Sequence, residues 1–124
     1  MHRFFICKHC NNILGLIHNS GVPMVCCGEV MSELEPNTQE AATEKHLPVV
    51  ERDGNLVRVK VGSVAHPMTE DHSIVWVYLE TEQGGQRKAL KDTPETCFAL
   101  TDDDQPVAAY AFCNLHGLWK TSIK

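Results

Sequence analysis

Ser73-Ile74-Val75-Trp76-Val77-Tyr78-Leu79-Glu80 is rich in β-branched and aromatic residues and reads as a central β-strand. The segments around it repeat the theme. Leu56-Val57-Arg58-Val59-Lys60-Val61 alternates apolar and charged residues, as a strand buried on one face does. Thr96-Cys97-Phe98-Ala99-Leu100 and Val107-Ala108-Ala109-Tyr110-Ala111-Phe112 predict two more strands. Turn formers separate them: Asp53-Gly54, Gly84-Gly85 and Asp102-Asp103-Asp104-Gln105-Pro106. No segment carries an apolar period of 3.6 residues. The chain is therefore expected to be all-β, with a β-sandwich over residues 37–124. Cys97, inside an apolar stretch, is expected to be a small buried apolar group.

Upstream, Glu35-Pro36-Asn37-Thr38-Gln39-Glu40-Ala41-Ala42-Thr43 is polar, carries a proline and shows no strand alternation, so it reads as a linker. Residues 1–36 then form a module too short to build an independent core, which needs a metal or other staple. The staple is legible. Cys7-Lys8-His9-Cys10 is followed, after 15 residues, by Cys26-Cys27, and two close cysteine pairs suit a tetrahedral metal site. Both zinc and iron accept four thiolates. Neighbouring side chains diverge along extended backbone, so a metal shared by Cys26 and Cys27 requires a tight, distorted turn there. A pair of structural disulfides is the alternative, although such frameworks usually spread their cysteines over the whole domain. The module is also a candidate for dimerisation.

Composition narrows the function. The chain has 124 residues, 43% of them hydrophobic and 22% charged, and no apolar run long enough to span a bilayer. The net charge of -5 disfavours nucleic acid as a partner, because phosphate binding needs a basic face. Met1–Ile6 lacks the apolar core of a signal peptide. With thiols committed to metal, the expected compartment is the cytoplasm.

The second domain holds the more consequential residues. His46, His66, His72 and His116 all sit beside turn or linker residues: Glu44-Lys45-His46-Leu47-Pro48, Ala65-His66-Pro67-Met68, His72 after Thr69-Glu70-Asp71, and Cys113-Asn114-Leu115-His116 before Gly117. Loops at one end of a sandwich can bring such side chains together. The C-x-x-H pair is a metal signal in its own right, whereas a lone surface histidine is ordinarily just solvated. His2, His9 and His18 have no partners at ligand spacing outside the cysteine cluster and read as bystanders.

Taken in order, these elements resemble the desulfoferrodoxins, the two-iron superoxide reductases, nearly end to end. Cys7-x-x-Cys10 with Cys26-Cys27 is similar to the desulforedoxin-like module. Glu44-Lys45-His46-x-Pro48, His66-Pro67-Met68, His72 and Cys113-Asn114-x-His116-Gly117 are similar to the neelaredoxin-like domain. The resemblance implies an immunoglobulin-like sandwich, although Trp76 precedes both Cys97 and Cys113, so that likeness is architectural only. It implies two irons. Cys7, Cys10, Cys26 and Cys27 would hold the first, and His46, His66, His72 and His116 with axial Cys113 the second. Glu44 would occupy the open position in the ferric state, and Lys45 would attract superoxide and organise proton-donating water. A rubredoxin-like electron donor and a homodimer are also implied.

The residue types fit that chemistry. Four neutral imidazoles and one thiolate leave a ferrous site with a formal charge of +1, which favours an anion, and an axial thiolate donates electron density to iron. Residues 37–124 carry 9 basic and 13 acidic side chains, which would repel superoxide overall. Charge is screened beyond about 8 Å at physiological ionic strength, so a lysine at the mouth acts locally. An electron-transfer protein with a closed second site and a zinc-binding interaction module are the rival readings. A facial-triad oxygenase fits worse, since no His-x-His pair or adjacent carboxylate ligand is present.

Overall fold

The computed structural model describes residues 2–123. Two compact units divide the chain, Met1–Glu35 and Pro36–Lys124. The first contains β1 (Arg3–Ile6), β2 (Ile13–Leu16), β3 (Val25–Cys26), β4 (Glu29–Val30) and β5 (Ser32–Glu33). β1 is central, flanked antiparallel by β2 and β5. Its core is small: Phe5, Cys7 and Met31 are buried, with Leu14, Leu16, Met24 and Cys26 packed against them. Arg3 on β1 and Glu33 on β5 close one side through two hydrogen bonds of 2.8 Å.

The second unit opens with one helical turn, α1 (Thr43–His46), and continues as β6 (Pro48–Asp53), β7 (Leu56–Val61), β8 (Ile74–Thr81), β9 (Gly84–Ala89), β10 (Glu95–Ala99), β11 (Pro106–Cys113) and β12 (Gly117–Ser122). A three-stranded sheet of order β10-β7-β6 faces a four-stranded sheet of order β12-β11-β8-β9, every pairing antiparallel. The alternation of β7 sends Val57, Val59 and Val61 inward. They meet Ile74, Val77 and Leu79 of β8, Phe98 and Leu100, and Ala109, Ala111 and Cys113 of β11. The β-sandwich read from the sequence is the one formed, and Cys113 ends its central strand at the edge of the core.

Three details depart from the sequence reading. Gly84-Gly85 is not a turn. The chain reverses at Glu82-Gln83, and both glycines pair with β8 opposite Thr81 and Glu80. Gly85 is small for a packing reason: a Cβ there would lie 1.9 Å from the Tyr78 hydroxyl oxygen. Cys97 is half-exposed rather than buried, because Phe98 takes the inward position and strand alternation turns its neighbour outward. Finally, the stretch read as linker ends in α1. No side chain caps this turn, and four residues are too few to be stable alone. The loop after β7 holds it: Gly62 N–H donates to Leu47 C=O at 3.0 Å and Val64 N–H to Glu44 C=O at 2.9 Å.

Cys97 and Phe98 should therefore respond differently to truncation. Phe98→Ala is expected to cost about 3–5 kcal/mol, and Cys97→Ala to stay within about 0.5 kcal/mol. Urea denaturation of the two variants distinguishes this register from one slipped by a residue.

Candidate metal centres

In the first unit, Cys7 directly follows β1 and Cys10 lies in the turn beyond it. Asn11, in left-handed backbone at φ 65°, donates its N–H to Cys7 C=O at 2.8 Å. Cys26 closes β3, and Cys27-Gly28 forms the two-residue loop to β4, with Cys26 opposite Glu29. Both loop residues have positive φ, 53° and 78°, as a type I′ hairpin turn demands. This is the distorted turn that adjacent ligands require. A non-glycine residue held there costs about 1–2 kcal/mol. All six cysteines are free, so the disulfide alternative does not hold. The four sulfurs instead lie within 4.8 Å of one another. A metal with bonds of about 2.3 Å sets tetrahedral thiolates roughly 3.8 Å apart, and Cys10 Sγ and Cys26 Sγ are separated by 3.6 Å.

Ionisation of this cluster is uneven. Backbone N–H groups of Cys10 and His9 help to pull the Cys7 thiol down to about 6. Cys27 is pushed up to about 12, chiefly by sharing its proton with Cys7, Cys10 and Cys26. Four thiolates this close repel, and a cation between them removes that cost. His9 is no ligand: its Nε2 meets Glu29 Oε1 at 3.1 Å on the surface.

The second cluster draws on three separate segments. α1 supplies His46, the loop between β7 and β8 supplies His66 and His72, and β11 with its hairpin supplies Cys113 and His116. The four imidazoles close a square. Neighbouring ring centroids lie 4.6 Å (His46–His66), 4.6 Å (His66–His72), 5.1 Å (His72–His116) and 5.0 Å (His116–His46) apart, each pair at 73–89°. The His46–His72 diagonal is 6.3 Å. Donor atoms of His46, His72, Cys113 and His116 all fall within 4.8 Å of one another. His66 stands outside that group of four but reaches it through His46, Nε2 to Nε2, at 3.2 Å. Cys113 is fully buried, its Sγ 3.8 Å from His116 Nδ1.

The hydrogen-bond partners fix what each ring offers. His46 Nδ1 donates to Ala42 C=O and His66 Nδ1 to Pro67 C=O, both at 2.7 Å. In the neutral ring Nε2 is then a bare acceptor. Two such acceptors face each other across 3.2 Å with no proton between them, and His72 Nε2 is buried with no hydrogen-bond partner. Burial also keeps the rings neutral. It lowers His46 and His72 and brings His66 down to about 4, with neighbouring imidazoles adding to the shift. A cation at the middle satisfies every one of these nitrogens, so the donor set fits a metal.

Lys45 and Glu44 precede His46 on α1, and both are exposed. The Lys45 charge contributes to lowering both His46 and His72. Two further residues build the site without contributing a donor atom to it. Asn114 ties the loops together: its Oδ1 accepts from Ser73 N–H at 3.0 Å and its Nδ2 donates to Asp71 C=O at 2.9 Å. Gly62, at φ +88°, lets the loop after β7 press on α1. A Cβ there would sit 2.3 Å from Val64 O and 2.8 Å from Glu44 O.

The Desulfoferrodoxin family profile matches residues 38–122. The chain belongs to the desulfoferrodoxin family. The desulfoferrodoxin of Nitratidesulfovibrio vulgaris is 44% identical over 121 residues, covering 96% of this chain and 94% of its own. The desulfoferrodoxin homolog of Archaeoglobus fulgidus is 45% identical over 117 residues, covering 93% and 92%. Among solved structures, the superoxide reductase from Treponema pallidum matches with a TM-score of 0.84 at 47% identity, covering 98% of this chain and 99% of its own. Both clusters thus lie in a chain of the desulfoferrodoxin family.

The depressed histidines carry a consequence for pH. His66 protonates near 6.5 when unfolded and at about 4 when folded. Between those values the unfolded chain binds more protons, so the neutral ring's stability is present above pH 6.5 and drains as pH falls through 4. Metal-stripped protein is expected to lose on the order of 3 kcal/mol over that window from this ring, measured by urea denaturation at stepped pH. His66→Asn should flatten the slope, and an unchanged slope would remove His66 as its source.

Proposed function

We propose that this protein is a superoxide reductase, which combines superoxide with one electron and two protons to give hydrogen peroxide. The observation that carries the reading is the square of four imidazoles beside a buried cysteine, in a desulfoferrodoxin chain. His46, His66, His72, His116 and Cys113 are the residues we assign to hold iron. When bound, iron supplies the transferable electron and a coordination position for an anion. The donor set does the rest of the selection. Four neutral rings and one thiolate cancel a single unit of a dication's charge, which leaves the site attractive to superoxide.

Lys45 has a local role. The second unit is acidic overall, and distant charges are screened, whereas Lys45 is close enough to be felt at His46 and His72. We assign it to drawing superoxide in and to ordering the water that delivers protons. Glu44, its neighbour, is assigned as the carboxylate that would take the open position in the ferric state. The Cys7, Cys10, Cys26 and Cys27 site is assigned a rubredoxin-type iron that staples the first unit. A reductase makes no oxygen, so an external donor must restore the electron, and a rubredoxin-like protein fits that part. No helix among the described residues is long and apolar enough to cross a membrane, and six free thiols suit the reducing cytoplasm. A homodimer completes the proposal.

One stoichiometry decides the reaction. Anaerobically reduced protein given superoxide is expected to yield one peroxide per superoxide and no oxygen. Half that peroxide with oxygen would make it a dismutase, and no fast reaction would leave an electron-transfer protein. Cys113→Ser should lose activity and the thiolate-to-iron absorption together, and retention of both would refute the ligand assignment.

Lys45→Ala should slow superoxide association, and the remaining rate should lose much of its dependence on ionic strength. Pulse radiolysis across a salt series measures both. An unchanged rate would take Lys45 out of the mechanism.

A further inference from the structure

Trp119 lies on β12, three residues beyond His116, and is only 3% exposed. Ala111 stands opposite it on β11, and so small a partner leaves room for an indole. A large buried side chain in such a place ordinarily just fills the core. Two contacts give this one a second role. Its ring stacks on the His46 imidazole, centroids 4.9 Å apart and planes at 30°. Its Nε1–H donates to the His116 carbonyl at 3.1 Å.

His46 and His116 come from opposite ends of the second unit's chain, yet they form one edge of the square, 5.0 Å apart and at 89°. The hydrogen bond from His46 Nδ1 to Ala42 C=O fixes that nitrogen but leaves the ring free to swing about the bond. A flat indole laid against the ring removes that freedom. The second contact acts on His116 through its backbone. Anchoring the His116 carbonyl orients the peptide leading into Gly117, which turns at φ +76°, and so directs the His116 ring toward Cys113.

We propose that Trp119 is a positioning residue of the His/Cys metal site, setting the ring plane of His46 through its face and the approach of His116 through its N–H. The proposal rests on the metal-centre reading above. Groups that orient ligating imidazoles typically govern metal affinity by 10–100-fold. Trp119 differs from the usual carbonyl or carboxylate partner in serving two ligands at once.

The test uses the full chain loaded with Co2+, comparing wild type, Trp119→Leu and Trp119→Phe. Solvent-exchangeable, hyperfine-shifted imidazole N–H signals in proton NMR come from histidine alone, so the cysteine cluster does not contribute. Trp119→Leu is expected to weaken Co2+ binding at the His/Cys site by about 10–100-fold. It should displace the His46 and His116 signals, leave that of His66 in place, and not change the affinity of the cysteine cluster. Trp119→Phe keeps a ring on His46 and loses the donor, so it should displace the His116 signal alone and weaken binding less. Unchanged affinity and signals in Trp119→Leu would overturn the proposal, as would equal losses at both metal sites. If Trp119→Leu does not fold, Trp119→Phe decides: an undisplaced His116 signal overturns it. Absence of shifted imidazole signals from the wild type would overturn the metal-centre reading and this proposal with it.

Discussion

Two imidazole nitrogens, on His46 and His66, face each other as bare acceptors across 3.2 Å in the interior of the second unit. Like partial charges at that distance, away from water, repel strongly. The arrangement persists because each ring's other nitrogen is already committed to a backbone carbonyl, so flipping either ring to exchange its nitrogens would break that bond. His72 Nε2 adds a third buried nitrogen with no hydrogen-bond partner. The only economical relief is a positive charge at the centre of the square, and much of the second unit's construction serves to hold that unmet demand in place.

The sandwich meets the demand by placing rigid and irregular chain side by side. Cys113 sits at the end of a central strand, fully buried, where it cannot drift. The histidines come instead from a single helical turn, a loop and a hairpin, none of which would keep its shape alone. Asn114 and Gly62 knit these segments together, one by side-chain hydrogen bonds and the other by having no side chain at all. The exposed residues of α1 inherit their positions from this network. Lys45 is exposed, yet it is carried on the same turn as His46 and its charge reaches two of the rings.

The first unit solves a different problem with the same physics. Its core is too small to stand on hydrophobic burial, and its hairpin puts Cys27 in left-handed backbone at a cost. Such strain survives only where something overdetermines it. Four sulfurs within 4.8 Å are that something once a metal neutralises them. Staple and strain are therefore two aspects of one site.

Much of this was legible in the residues. Apolar alternation showed strand β7, runs of apolar and aromatic residues showed β8 and β11, and cysteine spacing showed the first cluster, because these signals are local. The histidines' places beside turn formers pointed to a shared site, and the resemblance to the desulfoferrodoxins supplied the proposed ligand set. Other features depended on partners far away in the chain. The pair Gly84-Gly85 carries the composition of a turn, and only the Tyr78 hydroxyl across the sheet explains it as strand. Every residue from Cys97 to Leu100 is apolar, so composition could not say which face of β10 is inward; packing of Phe98 decided it. Strand β9 has almost no apolar signal and exists because β8 offers it a backbone edge. The sequence by itself determined the inventory: two donor sets of types that bind metal, and strands able to frame them. The tertiary structure alone decided that four histidines spread over 70 positions close a square, and that Trp119 lies against one of them. Distances of that kind are set by how sheets and loops pack, and spacing along the chain does not encode them.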